Sequence, residues 1–467
     1  MVSIETLDKN LIELKLALPK SVENIQLDCY LFIPKILDLN EYTYPSELFY
    51  RHLHNEQYLY TDGISLNNEA LHLKVQQYGQ QTYKSHRHYR RSICHIGDKV
   101  IRAMIADVDH VLNQQPNIKS LDLLITLLDN LDKICEGFRA QQPAKESLMH
   151  HFRYVDEYIN WTAQQTLLRL MNRRKQLSKE GVARITAWIR KAEVYSVEQN
   201  YRLRSLQAPD QKQTHRLYLL KDYLSRYRLL DSKRRRKGVL IEQGVFSVAA
   251  FMSMAIATII AFVTQQAFGN FSTPFFFALT FSYILKDRFK ELSRNYIFRR
   301  IMARQCQFEY DITDPLDHKP LVTMKDGCCF ISQSELPESV KNIIHRARRV
   351  NRNRREDVLH YKKHYNLNNK KIEHQYHGIK DKIVINIHKM LRNIPKESLT
   401  VYSLTSETST KEQIDKNQII YMVISIDDKH HKVLTLWVNS KGISSHSISD
   451  YATYKSINST YEESANA

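Results

Sequence analysis

The sequence lacks charged residues over one long stretch. From Gln243 to Leu285, 43 consecutive residues include no Asp, Glu, Lys or Arg, although charged residues make up 25% of the chain. The first part, Gly244 to Val263, is largely apolar and would form a helix of roughly 30 Å, the thickness of a bilayer's hydrocarbon core. A polar turn at 264–270 precedes a second apolar run, Phe271 to Leu285. We predict a transmembrane helical hairpin, with a buried hairpin in a large soluble protein as the alternative.

Other signals are scarce as well. The 11 glycines leave little scope for a glycine-rich phosphate-binding loop. The six cysteines include no Cys-x-x-Cys pair, which favours buried, reduced thiols. Residues 1–20 lack a basic start followed by an apolar core, so we expect no cleavable signal peptide. His360 and His364 have the spacing of two metal ligands on a helix, but two lysines lie between them. We therefore predict no metal, no cofactor and no catalytic residue.

Basic residues flank the charge-free stretch on both sides, and its central turn has none. Because basic residues beside membrane segments stay on the cytoplasmic side, the pattern predicts a multi-pass membrane protein with both termini cytoplasmic. The second run measures only about 22 Å, so whether it crosses fully is left open. The formal charge of +18 also favours an anionic partner. The flanking residues predicted to bind anionic phospholipid are Lys233, Arg234, Arg235, Arg236, Lys237, Lys286 and Arg288.

Small residues recur every four positions in both apolar runs. In lipid, such a row lets two helix backbones approach closely, so it predicts a helix-packing seam. Neither run contains an ionisable residue, which disfavours transport by the hairpin itself. The predicted seam consists of Ala249, Ser253, Ala257, Ala261, Ala278 and Ser282.

The remaining sequence predicts an α+β protein. An amino-terminal β-hairpin (two strands before Pro34) and a helix bundle form a cytoplasmic domain over 1–237. The membrane hairpin with a helical extension follows at 238–304. A linker and basic helix occupy 305–380, a small antiparallel β domain 381–455, and a disordered tail 456–467. Further helices are predicted at about 144–178, 182–205 and 212–236.

The predicted basic helix carries six arginines within the ten residues from Arg346 to Arg355, and apolar residues fall roughly on its other face. Three interpretations remain open: a solvated charged face, binding to anionic phospholipid, or binding to nucleic acid through phosphates. Lipid is favoured over nucleic acid because the cluster lacks interleaved aromatic residues. The predicted lipid-binding residues in this helix are Arg346, Arg348, Arg349, Arg352, Arg354 and Arg355.

Three segments support a resemblance to a family. Phe281 to Glu291 reads Phe-Ser-Tyr-Ile-Leu-Lys-Asp-Arg-Phe-Lys-Glu, and Phe32-Ile33-Pro34 and Thr43-Tyr44-Pro45 lie upstream. Together with the apolar hairpin they resemble a family of uncharacterised bacterial inner-membrane proteins. The resemblance implies location in a bacterial inner membrane, and it implies no activity, ligand or catalytic residue.

The sequence thus favours a non-enzymatic protein, a membrane-anchored scaffold or sensor for cytoplasmic partners. Its expected partners are anionic phospholipid, further copies of itself and an unidentified cytoplasmic protein. The alternatives are an oligomeric channel or transport accessory formed by the hairpins, and an enzyme with an unrecognised site in the helical domain. A pore would need polar residues along one helix face, and an enzyme would need a cleft with converging ionisable residues.

Overall fold

The structure, a computed structural model, is described here for residues 2–61, 65–80, 83, 85–113, 119–172, 178–206, 210–236, 239–269, 272–304, 306–316, 318–348, 355–373, 376–396, 398–405 and 408–452. The predicted tail at 456–467 lies outside these residues.

The β-strands come from both ends of the chain. They are β1 (Val2–Asp8), β2 (Leu11–Pro19), β3 (Asn24–Pro34), β4 (Leu53–Tyr60), β5 (Asp231–Arg236), β6 (Phe308–Thr313), β7 (Pro320–Ile331), β8 (Glu356–Leu367), β9 (Gly378–Asn386), β10 (Ser398–Thr405), β11 (Thr408–Asp415), β12 (Gln418–Ile426), β13 (His430–Asn439) and β14 (Gly442–Ala452).

An eight-stranded antiparallel sheet has the order β14-β13-β12-β3-β8-β7-β6-β5, and a four-stranded sheet has the order β1-β2-β9-β4. Strand β3 occupies a central place because Leu27–Pro34 is buried on both faces, as the continuous apolar run 29–34 allows. The strands β10 and β11 form a separate ribbon. One apolar core fills the space between the two large sheets and includes Leu14, Leu31 and Ile383.

The helices are α1 (Ser46–Arg51), α2 (Glu69–Gln80), α3 (His86–Asn113), α4 (Lys119–Arg139), α5 (Glu146–Asn172), α6 (Lys179–Glu198), α7 (Gln211–Ser225), α8 (Val239–Phe268), α9 (Thr273–Arg304) and α10 (Glu338–Ala347). Helices α2 to α7 form a bundle with its own core, which includes Met104, Leu131 and Phe152. Helix α10 packs on the outer face of the large sheet, against Tyr30 and Phe32.

The predicted fold class is wrong in its division into an amino-terminal hairpin, a transmembrane hairpin and a separate carboxy-terminal β domain. Strand β3 pairs with β12 and β8, and β2 pairs with β9, so both ends of the chain build the same sheets. Two adjacent strands have too little apolar contact to be stable alone, and these complete their sheets with strands from more than 300 residues away in sequence. The molecule is a mixed α/β protein with large antiparallel sheets.

The membrane-centred prediction, a multi-pass protein of a bacterial inner membrane, is also wrong. Within the part of the chain that the structure describes, one helix, Phe246–Ala267 in α8, is long and apolar enough to cross a membrane by length and composition. Helix α9 does not qualify, because its apolar part ends at Leu285 after about 20 Å and charged residues begin at Lys286.

In two places the structure differs from a predicted helix that carries basic residues. The helix predicted at 212–236 ends at Ser225, and Asp231–Arg236 forms the edge strand β5 beside β6. Lysine and arginine protect such an exposed strand from pairing with other chains. The helix predicted around the arginine cluster ends at Ala347, and strand β8 begins at Glu356.

Candidate functional site

The most unusual surface lies on α8 and the first half of α9, a segment we call the apolar hairpin (239–268 and 273–285). Only 11% of its most apolar window, within Phe246–Ala267, is buried inside the protein. A large exposed apolar patch normally marks a place where a partner or a lipid phase covers it. The exposed large apolar residues of the hairpin are Val248, Phe251, Met252, Met254, Ile259, Phe262, Val263, Phe276, Phe277, Leu279, Phe281, Tyr283, Ile284 and Leu285.

The two helices of the apolar hairpin contact each other along small residues. Ala249, Ser253 and Ser282 are buried, and the Ser282 hydroxyl donates a hydrogen bond to the Ala257 carbonyl at 3.2 Å. Ala257, Ala261 and Ala278 are half-buried. All six predicted seam residues are thus among the less exposed positions of the hairpin, and their role in its stability stays a prediction.

Several serine and threonine hydroxyls of the apolar hairpin donate hydrogen bonds within it. Ser247, Thr258 and Thr280 each donate to the backbone carbonyl four residues earlier, at 2.8–2.9 Å. Ser253 donates to the Ala250 carbonyl at 2.9 Å. Such bonds allow a hydroxyl to lie in an apolar phase without water. This arrangement favours an apolar environment around the hairpin over a polar, pore-lining face.

Strand β5 leads directly into the apolar hairpin and carries the first predicted basic group. Lys233, Arg235 and Arg236 are exposed, and Arg235 forms an ion pair with Asp311 at 2.6 Å. Arg234 instead lies over the Phe308 ring, 3.5 Å from its centroid. Lys237 lies outside the described residues.

The other predicted basic residues have mixed environments. On α9, the Lys286 ammonium lies 4.1 Å from the centroid of the Tyr283 ring, and Arg288 is 3.7 Å from Glu291. After α10, Arg348 forms an ion pair with buried Glu356, so this guanidinium is not available to a lipid surface. Arg346 and Arg355 are exposed. Arg349, Arg352 and Arg354 lie outside the described residues.

A polar cleft of about 240 Å³ lies beside β5, between the two large sheets. Its lining includes Tyr50, Asn55, Gln57, Arg234 and Tyr310. The Tyr50 hydroxyl and the Asn55 side-chain oxygen are buried and have no hydrogen-bond partner among the described residues. This cleft therefore combines a cation with polar atoms whose hydrogen-bonding capacity is unused.

Behind the cleft, the core contains an ion pair between Lys363 and Asp381. The Lys363 ammonium donates to Asp381 at 2.5 Å, and the Tyr365 hydroxyl donates to the same carboxylate oxygen at 2.5 Å. Gln57 donates to the other oxygen at 2.7 Å. Lys363 and Asp381 are both fully buried. The full set of hydrogen bonds explains how this carboxylate can lie in the core.

Asp326 lies opposite Lys363 on the neighbouring strand and is fully buried. Neither of its carboxylate oxygens forms a hydrogen bond of ordinary geometry in the described ranges, although the Tyr310 hydroxyl lies near the carboxylate. Burial raises the pKa of Asp326 to about 6, although the charges of Lys363 and Arg234 act in the opposite direction. These core residues were not predicted as a site. The available signal was Lys363, a charged residue between Tyr361 and Tyr365, with which it shares one face of β8.

The histidine pair belongs to a strand and not to a helix. His360 and His364 lie on β8, where His360 Nε2 is 2.8 Å from an Asp28 oxygen and its ring stacks on Tyr30 at 4.4 Å. Over the residues that the structure describes, no group of three or more His, Cys, Asp or Glu side chains is placed to hold a metal ion. Burial raises the pKa values of Cys94 and Cys135 to about 12, which is unlike a reactive thiolate.

Comparisons of the chain with protein-family models, with curated proteins and with solved structures find no match. The candidate sites therefore rest on their geometry. The family resemblance drawn from the residues after the apolar hairpin stays a prediction.

Proposed function

We propose that this protein is a non-enzymatic scaffold that is attached to lipid through the apolar surface of α8. The observation that carries the proposal is the exposure of this helix's apolar residues. Phe251, Ile259 and Phe262 are each more than 60% exposed, although each would gain roughly 1.5–3 kcal/mol from full burial. The proposal needs α8 embedded in lipid and does not include a complete crossing of the bilayer, since the paired strands β5 and β6 keep both ends of the insertion on one side.

The shape of the exposed surface supports a fluid apolar phase as its partner. At 100° per residue, the exposed residues between Val248 and Val263 cover roughly half of the circumference of α8, and the seam to α9 covers much of the rest. Such a convex surface offers no groove into which a single protein helix would fit. Acyl chains adapt to it without a complementary shape.

The basic residues at the base of the apolar hairpin support an anionic lipid surface. Lys233, Arg235 and Arg236 are exposed immediately before α8. Each basic residue near an anionic leaflet contributes about 1 kcal/mol to binding. The sheets and the helix bundle form the body that is held at this surface. Binding of further copies or of a protein partner to that body stays a prediction.

Vesicle flotation of the full chain tests the proposal. We expect the protein to float with vesicles that contain anionic phospholipid. Replacing Ile259 and Phe262 with Glu should reduce the floating fraction at least 100-fold, because each charge in the apolar phase costs about 2.5–3.5 kcal/mol. The control replaces Tyr218 and Leu219 with Glu, since these exposed apolar residues lie on α7.

The same assay can contradict the proposal. Equal flotation of the two double variants would exclude α8 as the attachment. A protein that stays at the bottom of the gradient as a large homogeneous oligomer would show that copies of the chain cover the hairpin instead. Replacing Lys233, Arg235 and Arg236 with Gln should reduce the preference for anionic over neutral vesicles by about 10- to 100-fold.

A further inference from the structure

One face of α3 carries basic residues toward the sheets. Arg91, His95, Lys99 and Arg102 are spaced by four, four and three residues, which places them on one side of the helix. Arg91, His95 and Lys99 are at most 8% exposed. A helix side that is both basic and buried needs anions opposite it, because isolated buried charges are costly.

Arginines engage the acids that face this side of α3. Arg91 forms an ion pair with Asp314 at 2.8 Å and lies 3.9 Å from Glu373. Asp98 contacts Arg102 at 3.0 Å and Arg228 at 3.4 Å. Asp98 also accepts a hydrogen bond from the Tyr227 hydroxyl at 3.2 Å.

The two lysines at this place form no ion pair with a described residue. Lys99 on α3 is 6% exposed, and exposed Lys74 on α2 is close enough to repel it. Burial, followed by the charge of Lys74, lowers the pKa of Lys99 to about 8. The carboxylate nearest to Lys99 in this group, Asp98, is already engaged by Arg102 and Arg228, so a bound anion would be stabilised by the two ammonium groups.

His95 and Tyr376 add hydrogen-bonding groups at the same place. His95 is 5% exposed, and its ring lies 5.1 Å from the Tyr376 ring and 5.9 Å from the Tyr227 ring. Both ring nitrogens of His95, the Tyr376 hydroxyl and Arg91 Nε are buried, and none forms a hydrogen bond of ordinary geometry in the portion of the chain described, although the Tyr376 hydroxyl lies beside the Arg91 guanidinium. Burial and the surrounding cations lower the pKa of His95 to about 3, so its ring is neutral and offers one donor.

We infer that Lys74, His95, Lys99 and Tyr376 form a binding site for the phosphate group of a soluble ligand, at the junction of the helix bundle and the sheets. A phosphate dianion matches the two unpaired ammonium groups in charge. Its oxygens accept hydrogen bonds from the donors that the protein leaves unused. Lys74, which is exposed, connects the site to solvent.

Thermal unfolding of the full chain in detergent, with inorganic pyrophosphate as the probe, tests this inference. Pyrophosphate should raise the Tm of the wild-type protein beyond the effect of sodium chloride at equal ionic strength, because a ligand that binds only the folded state stabilises it. Lys99→Met should abolish this increase, and Lys74→Met should weaken it. Lys133→Met, on an exposed position of α4, should respond like the wild type.

The variant Lys99→Met also gives a second signature. Without pyrophosphate it should have a Tm at least as high as the wild type, because it removes a buried charge that lacks a partner and keeps the length of the side chain. A lower Tm in the absence of pyrophosphate, or an unchanged response to it, would overturn the inference. So would a wild-type protein that responds only to phosphatidylglycerol vesicles, since the phosphate would then belong to a lipid.

Discussion

Asp326 carries an ionisable carboxyl group in a fully buried position. Its carboxylate is fully buried beside an ion pair, Lys363–Asp381, that already satisfies its own charges. Burial raises the pKa of Asp326 in the folded protein to about 6, above the ordinary value of 3.8. The folded state therefore holds a proton that the unfolded chain releases. This contribution to stability is complete below about pH 4 and is lost as the pH rises through 6.

Asp326→Asn should remove this pH dependence. The wild-type protein should lose about 1–1.5 kcal/mol between pH 5 and pH 7.5 from this residue, because the pKa difference corresponds to 1.36 kcal/mol per pH unit between the two pKa values. The variant should lose none of it. At pH 7.5 the variant should unfold at a higher temperature than the wild type, measured in the same detergent.

The matched control is Asp129→Asn, which changes an exposed aspartate on α4. It should leave the difference in Tm between pH 5 and pH 7.5 unchanged. An Asp326→Asn variant with the wild-type pH dependence would show that the carboxylate is ionised in the folded protein throughout this range.

For single residues, the sequence predicted the exposed charged side chains better than the buried ones. The basic residues of β5 are exposed as expected, whereas the arginine cluster contains Arg348, which forms a buried ion pair with Glu356. Lys363, Asp326 and Asp381 come together only when β7, β8 and β9 are assembled. The spacing of residues within one segment does not predict contacts between residues on strands that are distant in sequence.

The apolar hairpin is attached to the rest of the molecule mainly at its base, and its two helices contact each other along their length. Its helices meet along Ala249, Ser253 and Ser282, with the Ser282 hydroxyl bonded across to the Ala257 carbonyl. Because Ala257 is half-buried at this contact, a larger side chain there would separate the helix backbones.

Ala257→Leu should therefore destabilise the packing of α8 on α9 by about 1–3 kcal/mol, the usual cost of added volume at a packed contact. We expect a lower unfolding temperature in detergent. Ile256→Leu is the control, because it preserves side-chain volume on a different face of the same turn. Equal unfolding temperatures for the two variants would mean that the small residues do not form a packing contact.

The sequence predicted apolar elements well where the pattern was strong. The strands at the end of the chain, β12, β13 and β14, lie within the antiparallel β region predicted at 381–455. The basic segment before α8 was predicted as a helix but forms strand β5, because pairing with β6 outweighs its local helix propensity. A short segment rich in one type of charge shows little periodicity, so its sequence does not distinguish a helix from a strand.

On the scale of the whole molecule, strand pairing joins the two ends of the chain. Strand β3 lies between β12 and β8, and β9 lies between β2 and β4. Sequence alone predicted strands before Pro34 and over 381–455 but not their partners, because alternation of apolar residues defines which face is buried and not which strand is adjacent. A fragment from Ile331 onward would expose the edges that β3 and β7 cover in the full chain. Experiments on the basic residues therefore require the full chain.

The arrangement also explains why the apolar hairpin can differ so strongly from the rest of the molecule. Strand β5 precedes it and β6 follows it, and these two strands pair at the edge of the large sheet. The hairpin is thus an insertion between two neighbouring strands. The cores of the sheets and of the bundle are complete without its apolar residues, apart from small contacts at its base. Its exposed surface is therefore not needed for the cores and is available for contact with an apolar phase.

The central claim is that α8 lies among lipid acyl chains, and depth-dependent quenching measures this directly. Tryptophan is introduced at Phe262 on α8 or, in a second variant, at Tyr218 on α7, both about two-thirds exposed. The protein is reconstituted in vesicles whose acyl chains carry bromine, which quenches tryptophan only at close contact. After subtraction of the signal from the three native tryptophans, the Phe262→Trp emission should be strongly quenched and the Tyr218→Trp emission should not. Equal quenching at the two positions, or none at Phe262→Trp, would contradict attachment of the protein to lipid through α8.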